Sequence, residues 1–307
     1  MLSNDVVAMA SGKWAALLAP WLDERALAGK HTACPMCGGK DRWRFDDKDG
    51  RGSWICNQCG AGDGFHLLQY VLGCDFLGAA DYVKHHAGKY SARPASQPMD
   101  TEKIRRLLRQ TWDEAKRIEP GDPVSLYLAS RCGQPMPDVC GLRYHASLVY
   151  KHDDGSITRH PAMLAQVIAG DGSPVTIHRT YLTADGKKAD VTKPRKLMPR
   201  VQRVENAAIR LSKPLAGWLG VAEGIETALC ASLRFQVATW ACISAFVLES
   251  FKPPTGIKLV SIFGDNDMNY TGQASAYRLA RRLASQAIEC KVIIPERSGT
   301  DFADPLP

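Results

Sequence analysis

Over residues 1–30, Trp14, Leu17, Leu18 and Trp21 recur on one face of a helical repeat, and that spacing predicts helix. Further on, Asp63 stands before a short apolar run and predicts a capped helix over Phe65–Leu72, with another over Phe76–His86. The periodicity then lapses. The stretch GKYSARPASQPMD is rich in Pro, Ser and Gly and reads as a linker over 89–99. Helical spacing returns at Ile104, Leu107, Leu108 and Trp112. Between Gly141 and Tyr181 apolar and polar residues alternate instead. Asp154-Gly155 and Asp171-Gly172 interrupt the alternation and Asp185-Gly186 follows it, so this region predicts a meander of antiparallel strands. From Gly217 onward the pattern changes again. GWLGVAE, VATWAC, IKLVSIFGD and CKVIIPE read as strands, and the stretches between them as helices. Such alternation predicts a parallel sheet covered by helices, with working residues at the carboxyl ends of the strands.

A chain of 307 residues accommodates about two domains and a small module. The pattern divides it into a cysteine module with flanking helices over 1–88, a linker over 89–99, a mixed β-rich subdomain over 100–213 and the parallel sheet over 214–307. The fold class expected is therefore α+β joined to α/β. The longest nearly apolar run, Trp240 to Leu248, is too short to span a bilayer, and no basic patch with an apolar stretch opens the chain. A cytoplasmic location with no membrane partner is expected. Cys74, Cys132, Cys140, Cys230, Cys242 and Cys290 are scattered and read as buried thiols in a reducing compartment, not as a disulfide frame.

Charge sharpens this picture. The net charge is +7, and Thr176 to Lys213 alone holds ten Lys or Arg against three acids. A basic balance so concentrated suggests a polyanionic partner, against the plainer reading of a solvated basic face.

Cys34, Cys37, Cys56 and Cys59 form two CxxC pairs separated by eighteen residues. Two knuckles at this spacing supply the four ligands of tetrahedral zinc. Four thiolates close the shell, so the metal is structural, and His31 and His66 nearby read as surface residues. Strand alternation puts Trp43 and Phe45 on one face and Arg42 and Arg44 on the other. Phe45 and Trp54 can serve as core. Trp43 and Arg44 are the residues expected to stack on bases and grip phosphate.

The parallel sheet carries acids at three strand ends. Glu223 ends VAE, Asp265 and Asp267 follow in GDND, and Asp301 and Asp304 lie in GTDFADPL. Neighbouring carboxylates repel unless a divalent cation neutralises them, and hard oxygen ligands favour Mg2+ or Mn2+. Glu226, in the first helical turn, fits a plainer role as an acid complementing the helix dipole, and Asp304 fits a cap.

These residues carry a resemblance. E-G-x-E-T-A-L, then G-D-N-D with a downstream Gly, then G-T-D-F-x-D-P-L resembles a toprim domain, the fold shared by bacterial-type primases, topoisomerases and some nucleases. The stretch from Cys34 to Gly64 resembles the zinc ribbon of phage and plasmid primase–helicases. The meander between them fits the N-terminal subdomain of such an RNA polymerase domain. As a whole the likeness is to the primase portion of satellite-phage and mobile-element replication proteins. Some relatives carry further acids two and four positions after the motif glutamate, where this chain has Ile225 and Thr227.

The resemblance implies synthesis of short RNA primers from NTPs on a single-stranded DNA template. Glu223 falls on the motif glutamate and would orient metal-bound water or accept the proton. Asp265, Asp267 and Asp301 would hold the catalytic Mg2+ or Mn2+. Arg179, Lys193, Arg195, Lys196, Arg200 and Arg203 would hold triphosphate and template backbone. No Gly-x-x-x-x-Gly-Lys-Ser/Thr phosphate loop occurs in the sequence, so unwinding would fall to a replicative helicase on another chain or to a missing C-terminal part. The alternatives are a toprim-type metal-dependent nuclease and a non-catalytic single-stranded-DNA-binding accessory protein of replication.

Overall fold

A computed structural model describes residues 2–92, 100–133 and 139–304, and the chain divides into two compact units, Met1–Pro98 and Met99–Pro307. The last residues of the expected linker, 93–99, lie outside the described residues.

In the first unit the helical stretch over 1–30 is three short helices, α1 (Leu2–Ala10), α2 (Trp14–Leu18) and α3 (Glu24–Leu27). Gly12 ends the first of these at φ +71°, a left-handed conformation that disfavours a side chain, and its N–H donates to the Gly50 carbonyl at 2.8 Å. An antiparallel sheet follows in sequence order: β1 (Thr32–Cys34), β2 (Gly38–Phe45), β3 (Trp54–Cys56) and β4 (Gly60–Gly62). Two helices complete the unit. In α4 (Gly64–Leu72), Asp63 caps the first turn by accepting from the His66 N–H at 2.9 Å, and in α5 (Phe76–His86), Asp75 does so for Gly78. A ribbon this small cannot bury its own apolar face. The helices supply the missing partner: Trp14, Leu17, Leu18, Phe65, Leu67 and Leu68 form one core with Trp43, Phe45 and Trp54.

The second unit starts with α6 (Thr101–Asp113), which buries Ile104 and Leu108 and leaves Leu107 exposed, and α7 (Pro123–Cys132). The meander comes next as β5 (Leu142–Lys151), β6 (Ile157–Ile168) and β7 (Pro174–Tyr181). Two short strands, β8 (Arg195–Leu197) and β9 (Ala208–Ile209), follow. The parallel part runs β10 (Trp218–Ala222), α8 (Ile225–Phe235), β11 (Thr239–Ala241), α9 (Ala245–Ser250), β12 (Leu259–Phe263), α10 (Thr271–Ala284) and β13 (Glu289–Ile293).

The boundary expected at 213/214 is not a break in the sheet. Strand β9 pairs antiparallel with both β11, through Ala241–Ile209, and β6, through Val167–Ile209. One nine-stranded sheet results, ordered β13-β12-β10-β11-β9-β6-β7-β8, with β5 on β6. Its apolar core likewise takes Val124 and Leu128 from α7, Met163 and Val167 from the meander, and Val221, Ile262 and Phe263 from the parallel strands. The scattered cysteines are neither all buried nor all thiols: Cys242 is buried but Cys140 is exposed. Cys132 and Cys230 form a disulfide between α7 and α8, with Cα atoms 5.1 Å apart. No helix of the structure, among the described residues, is long and apolar enough to cross a membrane.

Candidate functional site

Each unit gathers ligands of one kind. In the first, the Sγ atoms of Cys34, Cys37, Cys56 and Cys59 all lie within 4.8 Å of one another. The two knuckles are shaped by backbone amides that turn onto sulfur: Met36 N–H donates to Cys34 Sγ and Gln58 N–H to Cys56 Sγ, both at 3.4 Å. Four convergent thiols with this local support fit tetrahedral zinc and leave no position for a substrate.

The tip of the ribbon departs from expectation. Trp43 is 0% exposed, its ring near-parallel to Phe45 with centroids 6.4 Å apart, so it has no free face for a base. Its burial follows from the alternation that pairs it with Phe45, because the helices of the unit cover that face. Arg44 is engaged by Asp46, its Nε donating to Oδ1 at 2.5 Å and its Nη2 to Oδ2 at 3.1 Å. Exposed cations of the ribbon include Lys40 in β2 and Lys48 and Arg51 in the connection from β2 to β3.

In the second unit the strand register brings the acids side by side. Ala222, Phe263 and Ile293 are paired across β10, β12 and β13, and each closes its strand. Glu223 follows Ala222 directly. Asp265 and Asp267 follow Phe263 across Gly264, and the loop after β13 supplies Asp301. Gly272, downstream in α10, is required by close approach: a Cβ there would lie 2.5 Å from the Asp265 carbonyl oxygen. Its amide donates to Asp267 Oδ2 at 2.8 Å and holds that carboxylate in place.

The electrostatics mark this as a strained cluster of like charge. Burial, then Asp267, pushes Glu223 up to about 7. Burial, then Glu223 with Asp301, Asp267 and Asp304, pushes Asp265 up to about 8. Asp301 is also raised, by burial first and Asp304 beside it. Asp265 Oδ1 is buried without a hydrogen-bond partner. An orphaned, buried oxygen among hard carboxylates fits a divalent cation of the Mg2+ class. Among the described residues the four cysteines are the one group of three or more His, Cys, Asp or Glu side chains already drawn together around a common point.

Residues to which the sequence reading gave another role, or none, complete the surroundings. Glu226, expected to play a plain helix-end role, is 4% exposed. It accepts from Tyr127 Oη of α7 and from Arg195 Nη2 of β8 at 2.8 Å. The Arg195 guanidinium keeps Glu226 below the usual carboxylate range in spite of its burial. Lys188 lies within electrostatic reach of Arg195, Glu226, Arg131 and Asp301. Arg131, at the end of α7, stands 3.9 Å from Asp304. A Lys-Lys pair after an Asp-Gly turn was the only sequence signal for Lys188; nothing local marked Arg131 or Tyr127.

The six basic residues expected to act together are divided by strand geometry. Arg179 pairs across the ladder with Lys196, and Thr180 with Arg195. Side chains alternate, so Arg195 takes the face toward Glu226 while Arg179 and Lys196 take the other. There Arg179 donates to Tyr181 Oη and the Leu197 carbonyl, and Lys196 lies 3.8 Å from the Tyr150 ring centroid with its Nζ donating to the Lys151 carbonyl. The Lys193 amide donates to Tyr150 Oη at 3.2 Å. Arg200 and exposed Arg203 lie in the loop from β8 to β9.

Comparison with known families follows the same division. Residues 29–65 match the zinc-binding domain of primase-helicase, and residues 218–306 match the toprim domain. Residues 102–211 match a domain of unknown function (DUF7146). Among solved structures, the chain is similar to the zinc-binding and RNA polymerase domains of Aquifex aeolicus primase at 13% identity and a TM-score of 0.40, over 98% of this chain and 81% of that one. It is similar to the primase fragment of the bacteriophage T7 primase-helicase at 12% identity and a TM-score of 0.36, over 89% and 92%. A primase domain from Pseudomonas aeruginosa matches at 12% identity and a TM-score of 0.35, over 51% and 50%. At these scores the structural likeness is loose, and it is the two domain matches that identify a primase-type zinc ribbon and a toprim domain joined in one chain.

Proposed function

We propose that this protein is a DNA primase that synthesises short RNA primers on single-stranded DNA, in the replication of a phage, plasmid or other mobile element. One observation carries the reading. A cluster of raised carboxyl groups at three parallel strand ends sits, in one unit, within electrostatic reach of Arg195, Lys188 and Arg131. Primer synthesis needs both parts, an acidic centre for divalent metal and cations for a triphosphate.

Asp265, Asp267 and Asp301 would hold Mg2+ or Mn2+. Such ions, when bound, lower the pKa of the attacking 3′-hydroxyl and neutralise charge on the pyrophosphate leaving group. Glu223, poised near neutrality, accepts a proton from that hydroxyl. Arg195, oriented by Glu226, and Lys188 bind triphosphate oxygens. With Trp43 buried, template contact by the ribbon falls to Lys40, Lys48 and Arg51, whose salt-sensitive hold on phosphate needs no stacking. The partners are single-stranded DNA, NTPs and a helicase supplied elsewhere; the reaction takes place in the cytoplasm.

The test is incubation of the full chain with end-labelled single-stranded DNA, Mg2+ and radiolabelled NTPs. Short labelled products growing from NTPs are expected. Shortening of the DNA would replace the reaction class with nuclease, and binding with neither product would leave an accessory protein.

A further inference from the structure

The residue between the two aspartates of D-N-D makes more contacts than either of them. Asn266 forms an isolated antiparallel bridge with Thr300: its N–H donates to the Thr300 carbonyl at 2.9 Å, and its own carbonyl accepts from Gly299 N–H at 2.6 Å. Its side chain repeats the tie. Nδ2 donates to the Pro295 carbonyl at 2.7 Å and to the Glu296 carbonyl at 3.3 Å, while Oδ1 accepts from Gln273 Nε2 of α10 at 2.7 Å. The same Gln273 nitrogen donates to the Asp267 carbonyl at 3.0 Å. Two carbonyls on one side can only accept and the Gln273 amide on the other donates, so the orientation of the Asn266 amide is set by its partners.

The two loops joined in this way are the ones that carry acids. Asp265 and Asp267 flank Asn266 in the loop after β12. Asp301 follows Thr300 in the loop after β13. Asp265, Asp267 and Asp301 repel one another, and without a tie the loops would relax apart.

We infer that Asn266 is the positioning residue of the acidic centre, clamping the D-N-D loop to the loop of Asp301 so that both can serve one divalent-cation site. In this role it acts through the acids that it positions, its own side-chain amide being engaged by the Pro295 and Glu296 carbonyls and by Gln273. The inference rests on the acidic centre of the proposed function, and it extends that centre by a residue that no charge or metal-ligand pattern marks. An asparagine suits the position because it offers donor and acceptor together at the reach of the two loops. Aspartate has the same shape, keeps the acceptor for Gln273 and loses both donors. It also adds a negative charge beside the acids. If Asn266 were only a loop residue, that charge would draw a cation more strongly. A clamp predicts the opposite sign.

The experiment uses the full, zinc-loaded chain and Mn2+ alone as probe, followed by the paramagnetic signal of the free ion. Asn266→Asp and Asn266→Ala are compared with the wild type and with Asp267→Asn, and amide hydrogen exchange is read on the segment 295–301. Loss of an outer partner of a metal site costs about 10- to 100-fold in affinity. Asn266→Asp and Asn266→Ala are expected to weaken Mn2+ by that range, with faster exchange at Gly299 and an unchanged melting transition of the first unit. Equal or tighter Mn2+ binding by Asn266→Asp, or unchanged exchange in both variants, overturns the clamp while leaving the acidic centre standing. Mn2+ binding by the wild type that Asp267→Asn leaves untouched removes the acidic centre itself, and the clamp with it.

Discussion

In the ribbon, four thiols from two knuckles stand within 4.8 Å of one another, supported by amides from their own turns. At the ends of β10, β12 and β13, burial first and the neighbouring carboxylates second push Glu223 to about 7 and Asp265 to about 8. The first arrangement is closed and suits a metal that only holds a fold. The second leaves an oxygen of Asp265 unpartnered and keeps cations close by, as suits a metal that must also meet a substrate. Local spacing builds the closed site. The open one is assembled by sheet register from three strands, and its tension is maintained by the surrounding fold.

The contrast can be broken first at the ribbon, where the largest effect is expected. Cys56→Ser should abolish zinc binding and unfold residues 31–63 while the second unit melts as before. Structural zinc contributes roughly 10 kcal/mol or more of apparent binding energy to small modules. Metal analysis with residue-resolved hydrogen exchange reads both outcomes, and a folded, zinc-free ribbon would end the structural role.

At the acidic centre the fold should survive and the chemistry should not. Asp267→Asn keeps the loop shape and removes one hard ligand, so primer synthesis should drop by about a hundredfold or more. Glu223→Gln, which removes the proton acceptor, should cost roughly 10²- to 10⁴-fold. Single-strand binding measured on the same preparations should be retained. Full synthesis by Asp267→Asn at ordinary Mg2+ would show that the centre lies elsewhere.

A smaller effect belongs to Glu226. Glu226→Gln leaves the Arg195 guanidinium without its countercharge, at a cost of about 1–3 kcal/mol in stability of the second unit. The same change should weaken NTP binding through Arg195, whereas an acid serving only the dipole of α8 would leave NTP affinity unaltered.

The pH dependence of the second unit gives a further test. Glu223 and Asp265 titrate above the ordinary carboxylate range, so the metal-free native state retains protons that the unfolded chain has released. Stability of the second unit should therefore fall as pH rises from about 4 through about 8. Saturating Mg2+ should cancel the fall. Thermal melts of the second unit across this range, with and without Mg2+, check it; a metal-free melting point that rises over the same interval contradicts the raised carboxyl groups.

By itself the sequence determined the elements that depend on near neighbours. The CxxC spacing placed all four ribbon ligands, Asp63 announced the cap of α4, and the alternation of apolar runs put Glu223, Asp265, Asp267 and Asp301 at strand ends. It could not show which side of a strand another element would cover. Trp43 is core because helices outside the ribbon need its face, and Arg195 and Lys196 part company because β8 is paired to β7. Strand β9, two residues long, has no period to read, yet it turns two expected subdomains into one sheet. Glu226 meets Arg195 across 31 residues and Tyr127 across 99, as Asn266 meets Pro295 across 29. Periodicity and spacing report what lies within a turn or a hairpin. Burial, ion pairing and clamping between distant segments come from the free energy of packing the whole chain, and so only the tertiary structure decided them.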